Sequence, residues 1–363
     1  MATKKNKLGV AASEAYKDIV GQESVLRQLD FYIESFKESK YIPHLLLIAP
    51  KGCGKTTIAK ATATALKSID NNKVGRYISC AGYNKASVEQ FYNQIVASGM
   101  MDKDATFVFD ECHNLSPQIQ EELLSILNPN PEYQNTTSFD DREWTFDFKR
   151  VSFIFATTEP HAMKEALVDR LTRVELEEYS TEQLSKIVKN TLSDYKVSDT
   201  VLNQIASTLR GNARAAQKMA MTIEIYLKGG KKTTFTLEDW KVLCDTVDIK
   251  PLGLSKIELN ILRVLSGVKS MRLTQLSSIT GVNRGALQKD LEIYLQKKNL
   301  INIEPAGRLI TRKGLDYIKA YDFYRPSMDI DAKPKKKVVK KKTVKRKAVK
   351  KTVKKSTRKK AAK

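Results

Sequence analysis

The chain has 363 residues, with 63 Lys and Arg against 41 Asp and Glu, for a formal net charge of +22. At 41% hydrophobic and 29% charged it carries enough apolar side chain for two or three cores of ~100–200 residues each, which excludes a chain disordered throughout. Its longest apolar runs, such as Leu45–Ile48, fall far short of the ~20 residues that cross a bilayer, and residues 1–13 are Lys-rich without the apolar stretch of a signal peptide. No membrane segment is expected, and the chain should act in the cytoplasm, at the nucleoid.

The first half alternates short β-rich apolar runs (44–48, 76–80, 106–109, 151–156 and 173–176) with helical patterns. Five such runs predict a parallel five-stranded α/β sheet with helices on both faces. From residue 180 the pattern turns helical, opening on a Ser180/Gln183 capping box and continuing over 184–195, 201–209, 213–227 and 237–247. Lys250-Pro251-Leu252-Gly253 reads as a linker. Beyond it, helices over 256–265, 273–279 and 283–297 with Gly281 at the tight turn, then strands over 300–303 and 308–310, outline a winged helix. Of the 63 basic residues, 18 lie in 332–363 without a single acid, leaving 45 against 41 acids in the rest. Such a tail cannot bury a core and should be disordered, neutralising phosphates without reading sequence.

The chemistry concentrates in a few places. Ala49-Pro50-Lys51-Gly52-Cys53-Gly54-Lys55-Thr56-Thr57 lies between a predicted strand and helix. That is a phosphate loop, in which Gly52 and Gly54 let backbone N–H groups curl around phosphate, Lys55 reaches the β/γ-phosphates and the Thr56 hydroxyl holds Mg²⁺. Asp110-Glu111 ends the third strand, so that Asp110 is the candidate second metal ligand and Glu111 the base that polarises water. Thr158 ends the fourth strand, and Arg170 and Arg214 follow. Either arginine alone reads as a surface ion-pair residue; order and spacing in the whole set lift them to candidates for stabilising phosphoryl charge. The cysteines Cys53, Cys80, Cys112 and Cys244 show no CxxC spacing, which excludes a zinc or disulfide framework. His113 is assigned no catalysis.

In this order the motifs resemble those of the AAA+ ATPases, and most closely the RuvB family of Holliday-junction branch-migration motors, over about residues 17–320. Asp110-Glu111-Cys112-His113-Asn114-Leu115, Asp169-Arg170 and Arg210-Gly211-Asn212-Ala213-Arg214 carry the likeness, with Glu304-Pro305-Ala306-Gly307-Arg308-Leu309-Ile310-Thr311 in the wing. The resemblance implies an ATPase domain over 1–178, a helical lid over 179–250, a winged helix over 251–328 and the tail over 329–363. It implies ATP and Mg²⁺ as cofactors, with Ile19 and Val20 along the adenine, Thr158 as γ-phosphate sensor, Arg214 reporting through the lid and Arg170 as the finger completing a neighbour's site. A homo-hexameric ring driving double-stranded DNA at a Holliday junction follows, loaded by a RuvA-like partner, with Arg284, Lys289 and Arg308 gripping DNA. Ala306 stands where the family has an Arg, so one phosphate contact should be missing. Family members carry a hairpin within 128–150 that docks on the partner; Tyr133, Phe139, Trp144, Phe146 and Phe148 either serve that docking or pack against the sheet. An origin-binding initiator or a clamp-loader-type subunit shares the same architecture, although the clamp loaders' Ser-Arg-Cys finger is here Asp169-Arg170-Leu171.

Overall fold

The structure, a computed structural model, describes residues 14–96 and 104–324; the Lys-rich tail lies outside them. The chain divides into two compact units between Ser255 and Lys256.

In the first unit, β1 (Leu45–Ile48), β2 (Val74–Ser79), β3 (Ala105–Asp110), β6 (Val151–Thr157) and β7 (Thr172–Glu175) form the expected five-stranded parallel sheet in the order β2-β3-β6-β1-β7. Strict alternation along the strands splits their side chains between two layers. Leu45, Leu47, Val108, Ile154 and Ala156 join an aliphatic core with α1 (Glu23–Ser39) and α2 (Lys55–Ile69). Phe107, Phe109, Phe153 and Phe155 form an aromatic layer on the opposite face. There the register pairs Phe109 with Phe155, whose rings stack 5.1 Å apart. Helix α3 (Val88–Val96) and α4 (Pro117–Ile126) cover that face.

A hairpin of β4 (Gln134–Phe139) and β5 (Arg142–Asp147) precedes β6. Its aromatics face inward: Phe139 stacks on Tyr92 with centroids 4.4 Å apart, Trp144 lies 6.0 Å from Tyr92, and Phe146 and Phe148 are buried. Tyr133, half-exposed, leans on Tyr41 at 4.4 Å. Packing accounts for Phe139, Trp144, Phe146 and Phe148, whereas Tyr133 stays exposed.

After β7 and the short α5 (Glu165–Val168) before it, the lid comprises α6 (Thr181–Thr191), α7 (Asp199–Ser207), α8 (Ala213–Gly229) and α9 (Leu237–Thr246), with a small parallel pair of β8 (Lys196–Val197) and β9 (Thr234–Phe235). The Ser180/Gln183 capping box is present, with Gln183 N donating to Ser180 Oγ at 3.1 Å and Ser180 N to Gln183 Oε1 at 3.0 Å. Lid residues Leu184, Val188, Ile205 and Ala216 join the same core as β1 and α2.

The second unit is the winged helix. Helices α10 (Lys256–Ser266) and α11 (Leu273–Thr280) precede a third helix that runs from α12 (Arg284–Ala286) through a π-turn at Leu287–Leu291 into α13 (Glu292–Lys297). The wing pairs β10 (Ile301–Glu304) with β11 (Gly307–Ile310), and α14 (Arg312–Tyr324) follows. Gly307 has φ +135°, and a Cβ there would meet the Met271 carbonyl at 2.5 Å. The wing can approach the start of α11 only with glycine at this position.

Candidate nucleotide site

A cavity of about 380 Å³ opens over the phosphate loop. Gly52 (φ +83°) and Gly54 (φ +88°) bend the loop into α2, and Lys55 begins that helix. Its ammonium turns back to donate to Ala49 O at 2.9 Å and Pro50 O at 3.4 Å. Burial lowers the Lys55 pKa, while Glu111 and Asp110 oppose the shift.

Strand pairing delivers the carboxylates. Asp110, at the end of β3, accepts from the Thr56 hydroxyl at 2.8 Å on Oδ2 and from the Glu111 N–H at 3.2 Å on Oδ1. The Tyr77 hydroxyl donates to the same Oδ2. Glu111 adopts φ +53°, a conformation that costs a non-glycine residue about 1 kcal/mol or more and is often kept at functional sites. Its Oε2 accepts from Thr158 Oγ1 at 3.4 Å and lies 3.5 Å from His113 Nδ1, which itself sits 3.0 Å from Thr157 Oγ1. Glu111 is therefore flanked by two groups from the β3 and β6 ends, and His113 contacts it more closely than sequence reasoning credited.

The lid closes the cavity. Ala213 N donates to Gly52 O at 3.0 Å, and the Asn212 carboxamide donates to Lys51 O at 3.1 Å while capping α8 by accepting from Ala215 N. Arg214, in the first turn of α8, lines the cavity, as do Ile19, Val20, Gly52, Gly54, Lys55, Thr56, Thr57, Asp110 and Glu111. Sequence reasoning missed Tyr179, Ile187 and Asn190, which also line it. The ordinary helical periodicity of α6 gave no sign that one side of that helix meets the loop.

Two regions of the chain match family models: residues 45–179 the ATPase family associated with various cellular activities (AAA), and residues 251–319 the RuvB C-terminal winged helix domain. The Holliday junction branch migration complex subunit RuvB of Ehrlichia ruminantium (strain Gardel) is 28% identical over 307 residues, covering 83% of this chain and 90% of that one. The RuvB of Ehrlichia canis (strain Jake) is also 28% identical, over 315 residues, 84% of this chain and 92% of the relative. The chain thus joins an AAA-type ATPase domain to a RuvB-type C-terminal winged helix domain. A solved structure of Thermotoga maritima RuvB, titled a Holliday junction branch migration motor, superposes with a TM-score of 0.65 at 23% identity over 83% of this chain and 95% of its own, a likeness of fold.

The remaining candidates fall away from the cavity. Arg170 is not among the lining residues; it follows α5 and donates to Ala166 O at 2.7 Å and Asn128 Oδ1 at 3.4 Å. Arg284 and Lys289 are exposed on the third helix of the winged unit. Arg308, expected as a phosphate contact, is turned inward instead. Its Nε and Nη2 donate to Glu292 Oε1 at 2.8 Å and Oε2 at 3.0 Å, with only 12% and 2% of the two side chains exposed. A guanidinium committed to a buried carboxylate in this fork geometry is not offered to DNA. The cysteines are packing groups: Cys53, Cys80 and Cys112 are buried, and burial pushes the Cys80 thiol up to about 12. Among the described residues no helix is long and apolar enough to cross a membrane.

Proposed function

We infer that this chain is the ATP-driven motor of Holliday-junction branch migration in recombination and repair. The observation that carries the reading is a phosphate loop, an Asp110-Glu111 pair and a lid arginine assembled at one cavity, in the same chain as a RuvB-type winged helix. Neither an initiator nor a clamp-loader subunit is favoured by that pairing.

The Thr56 hydroxyl and the Asp110 carboxylate, 2.8 Å apart, are hard oxygen donors, and among the described residues there is no cluster of three or more ligating side chains. Such a sparse set suits Mg²⁺, which keeps its waters and shares phosphate oxygens rather than filling a protein cage. When bound, the ion would offset charge on the β- and γ-phosphates. Lys55 would leave the loop carbonyls for the phosphates, and Glu111 would orient and deprotonate water with Thr158 and His113 holding its carboxylate. Ile19 and Val20 would flank the adenine. Arg214 would meet the γ-phosphate from the lid, and Arg170, away from its own cavity, would serve a neighbour's in a hexameric ring.

Arg284 and Lys289 would contact the DNA backbone, with a RuvA-like protein placing the ring on the junction and the action taking place in the cytoplasm, at the nucleoid. The Lys-rich tail would hold DNA nearby. Glu111→Gln is the direct test: it should bind ATP as the parent does and lose hydrolysis by about two or more orders of magnitude. Turnover at the parental rate would remove Glu111 as the base, and a chain unable to migrate a four-way junction with a RuvA-like partner would sink the motor reading.

A further inference from the structure

Tyr77 belongs to neither the phosphate loop nor the paired acids, yet it is placed against them by the sheet. In the β2–β3 register Ser79 pairs with Asp110 and Tyr77 with Val108, so Tyr77 and Asp110 point to the same face, diagonal to one another. The phenol donates to Asp110 Oδ2, and the ring is pinned under the Lys60 ammonium, 4.2 Å from its centroid. A tyrosine left 43% exposed on the edge strand is not there chiefly to fill a core.

The hydrogen bonds on Asp110 define what Tyr77 does. A carboxylate offers about two lone-pair positions on each oxygen. Thr56 and Tyr77 both donate to Oδ2, and the Glu111 N–H donates to Oδ1. The oxygen nearest Thr56 is thus fully subscribed by two hydroxyls. A hydrated cation approaching between Thr56 and Asp110 needs one of those positions. Thr56, in the phosphate loop, can keep donating its proton while its own lone pair turns to the metal; Tyr77, reaching in from the edge strand, competes with the cation for that oxygen and has to leave. It has somewhere to go, because β2 has no neighbouring strand on its outer side among the described residues and the ring is half in solvent.

We propose that Tyr77 is a positioning residue which holds Asp110 against premature metal binding, so that a divalent cation enters the site only together with a nucleotide. This rests on the assignment of Thr56 and Asp110 to the metal and on the ATPase reading. The phenol makes the carboxylate a poorer ligand until the nucleotide phosphates supply further oxygens to the same ion.

The test uses the full chain and its Tyr77→Phe variant, with Mn²⁺ as a paramagnetic stand-in for Mg²⁺. Free Mn²⁺ is followed by electron paramagnetic resonance with and without ADP, and binding of a fluorescent ADP is titrated against Mg²⁺. Removing a hydrogen bond to a charged acceptor should lower the cation half-saturation by about tenfold or more. Nucleotide affinity in excess Mg²⁺ should stay unchanged, and Mn²⁺ binding without nucleotide should become measurable. A half-saturation equal to the parent's, or raised, overturns the proposal, since a Tyr77 that merely orients Asp110 for the metal would make the variant bind cation more weakly. Tyr77→Leu also removes the hydroxyl while leaving every charge at the site in place; the same shift is expected, and this variant decides the matter if Tyr77→Phe fails to fold. A parent chain without any cation-dependent nucleotide binding would instead refute the ATPase reading itself.

Discussion

His44 shows how a single buried side chain sets a pH limit on this fold. Its ring is enclosed by Tyr41, Phe148 and Phe153, and its Nδ1 has no hydrogen-bond partner. Burial lowers its pKa from 6.5 to about 4. The folded state therefore keeps the ring neutral where the unfolded chain already binds a proton. Stability present above pH ~6.5 drains as the pH falls, and the drain levels off near pH ~4, by about 3 kcal/mol in all. His44→Leu should match the parent in Tm at pH 7 and lose less on acidification to about pH 4.5; parallel losses in the two proteins would clear His44 of responsibility. At this scale the sequence spoke clearly where chemistry is local. Gly52, Gly54, Lys55 and Thr56 are consecutive or nearly so, and Asp110 with Glu111 ends an apolar strand, so spacing alone singled out residues that line one cavity. Tyr77 and Tyr179 were silent because their place at the site depends on strand register and on the lid fold, neither of which leaves a mark in neighbouring residues. Arg308 misled for the reverse reason: a basic residue on a wing suggests DNA, and only the fold reveals that Glu292, sixteen positions earlier, has claimed it.

Among the elements, the three inner parallel strands β1, β3 and β6 were legible because each is a continuous β-rich apolar run buried on both faces, while the edge strands β2 and β7 alternate with exposed residues and were marked by β-rich composition alone. The hairpin came only with the family resemblance and not from periodicity: β4 alternates exposed and half-buried, mostly polar residues, and its anchoring rings are spread along the chain around it. The third helix of the winged unit was expected unbroken and instead widens at Leu287–Leu291. That π-turn lies immediately before Glu292, the residue that grips Arg308 from β11. Helix and wing are thereby fastened by a buried bidentate pair, and removing one partner strands the other charge at a cost of about 3–5 kcal/mol. Arg308→Ala should unfold the winged unit at markedly lower urea concentration, read by the loss of its helical circular dichroism. A variant that folds as the parent does but binds duplex DNA more weakly would return Arg308 to the DNA surface.

For the molecule as a whole, the +22 is a matter of address rather than of overall character. The 45 basic and 41 acidic residues of 1–331 nearly cancel, whereas 332–363 holds 18 cations and no acid. Each phosphate neutralised releases counterions, giving a dependence of log affinity on log salt of about −0.9 per contact on duplex DNA. Deleting 332–363 should flatten that slope and weaken DNA binding, with ATP turnover in the absence of DNA unchanged; a collapse of basal turnover would make the tail part of the motor. Finally, the Gly52 carbonyl that receives the Ala213 N–H belongs to the peptide unit whose other end is the Cys53 N–H, inside the phosphate loop. Hydrogen bonds in series polarise one another. With the lid seated, this amide is a stronger donor than it is with the lid lifted. The seating of the lid is thus felt by one backbone donor of the phosphate loop through a shared peptide unit rather than through any side chain.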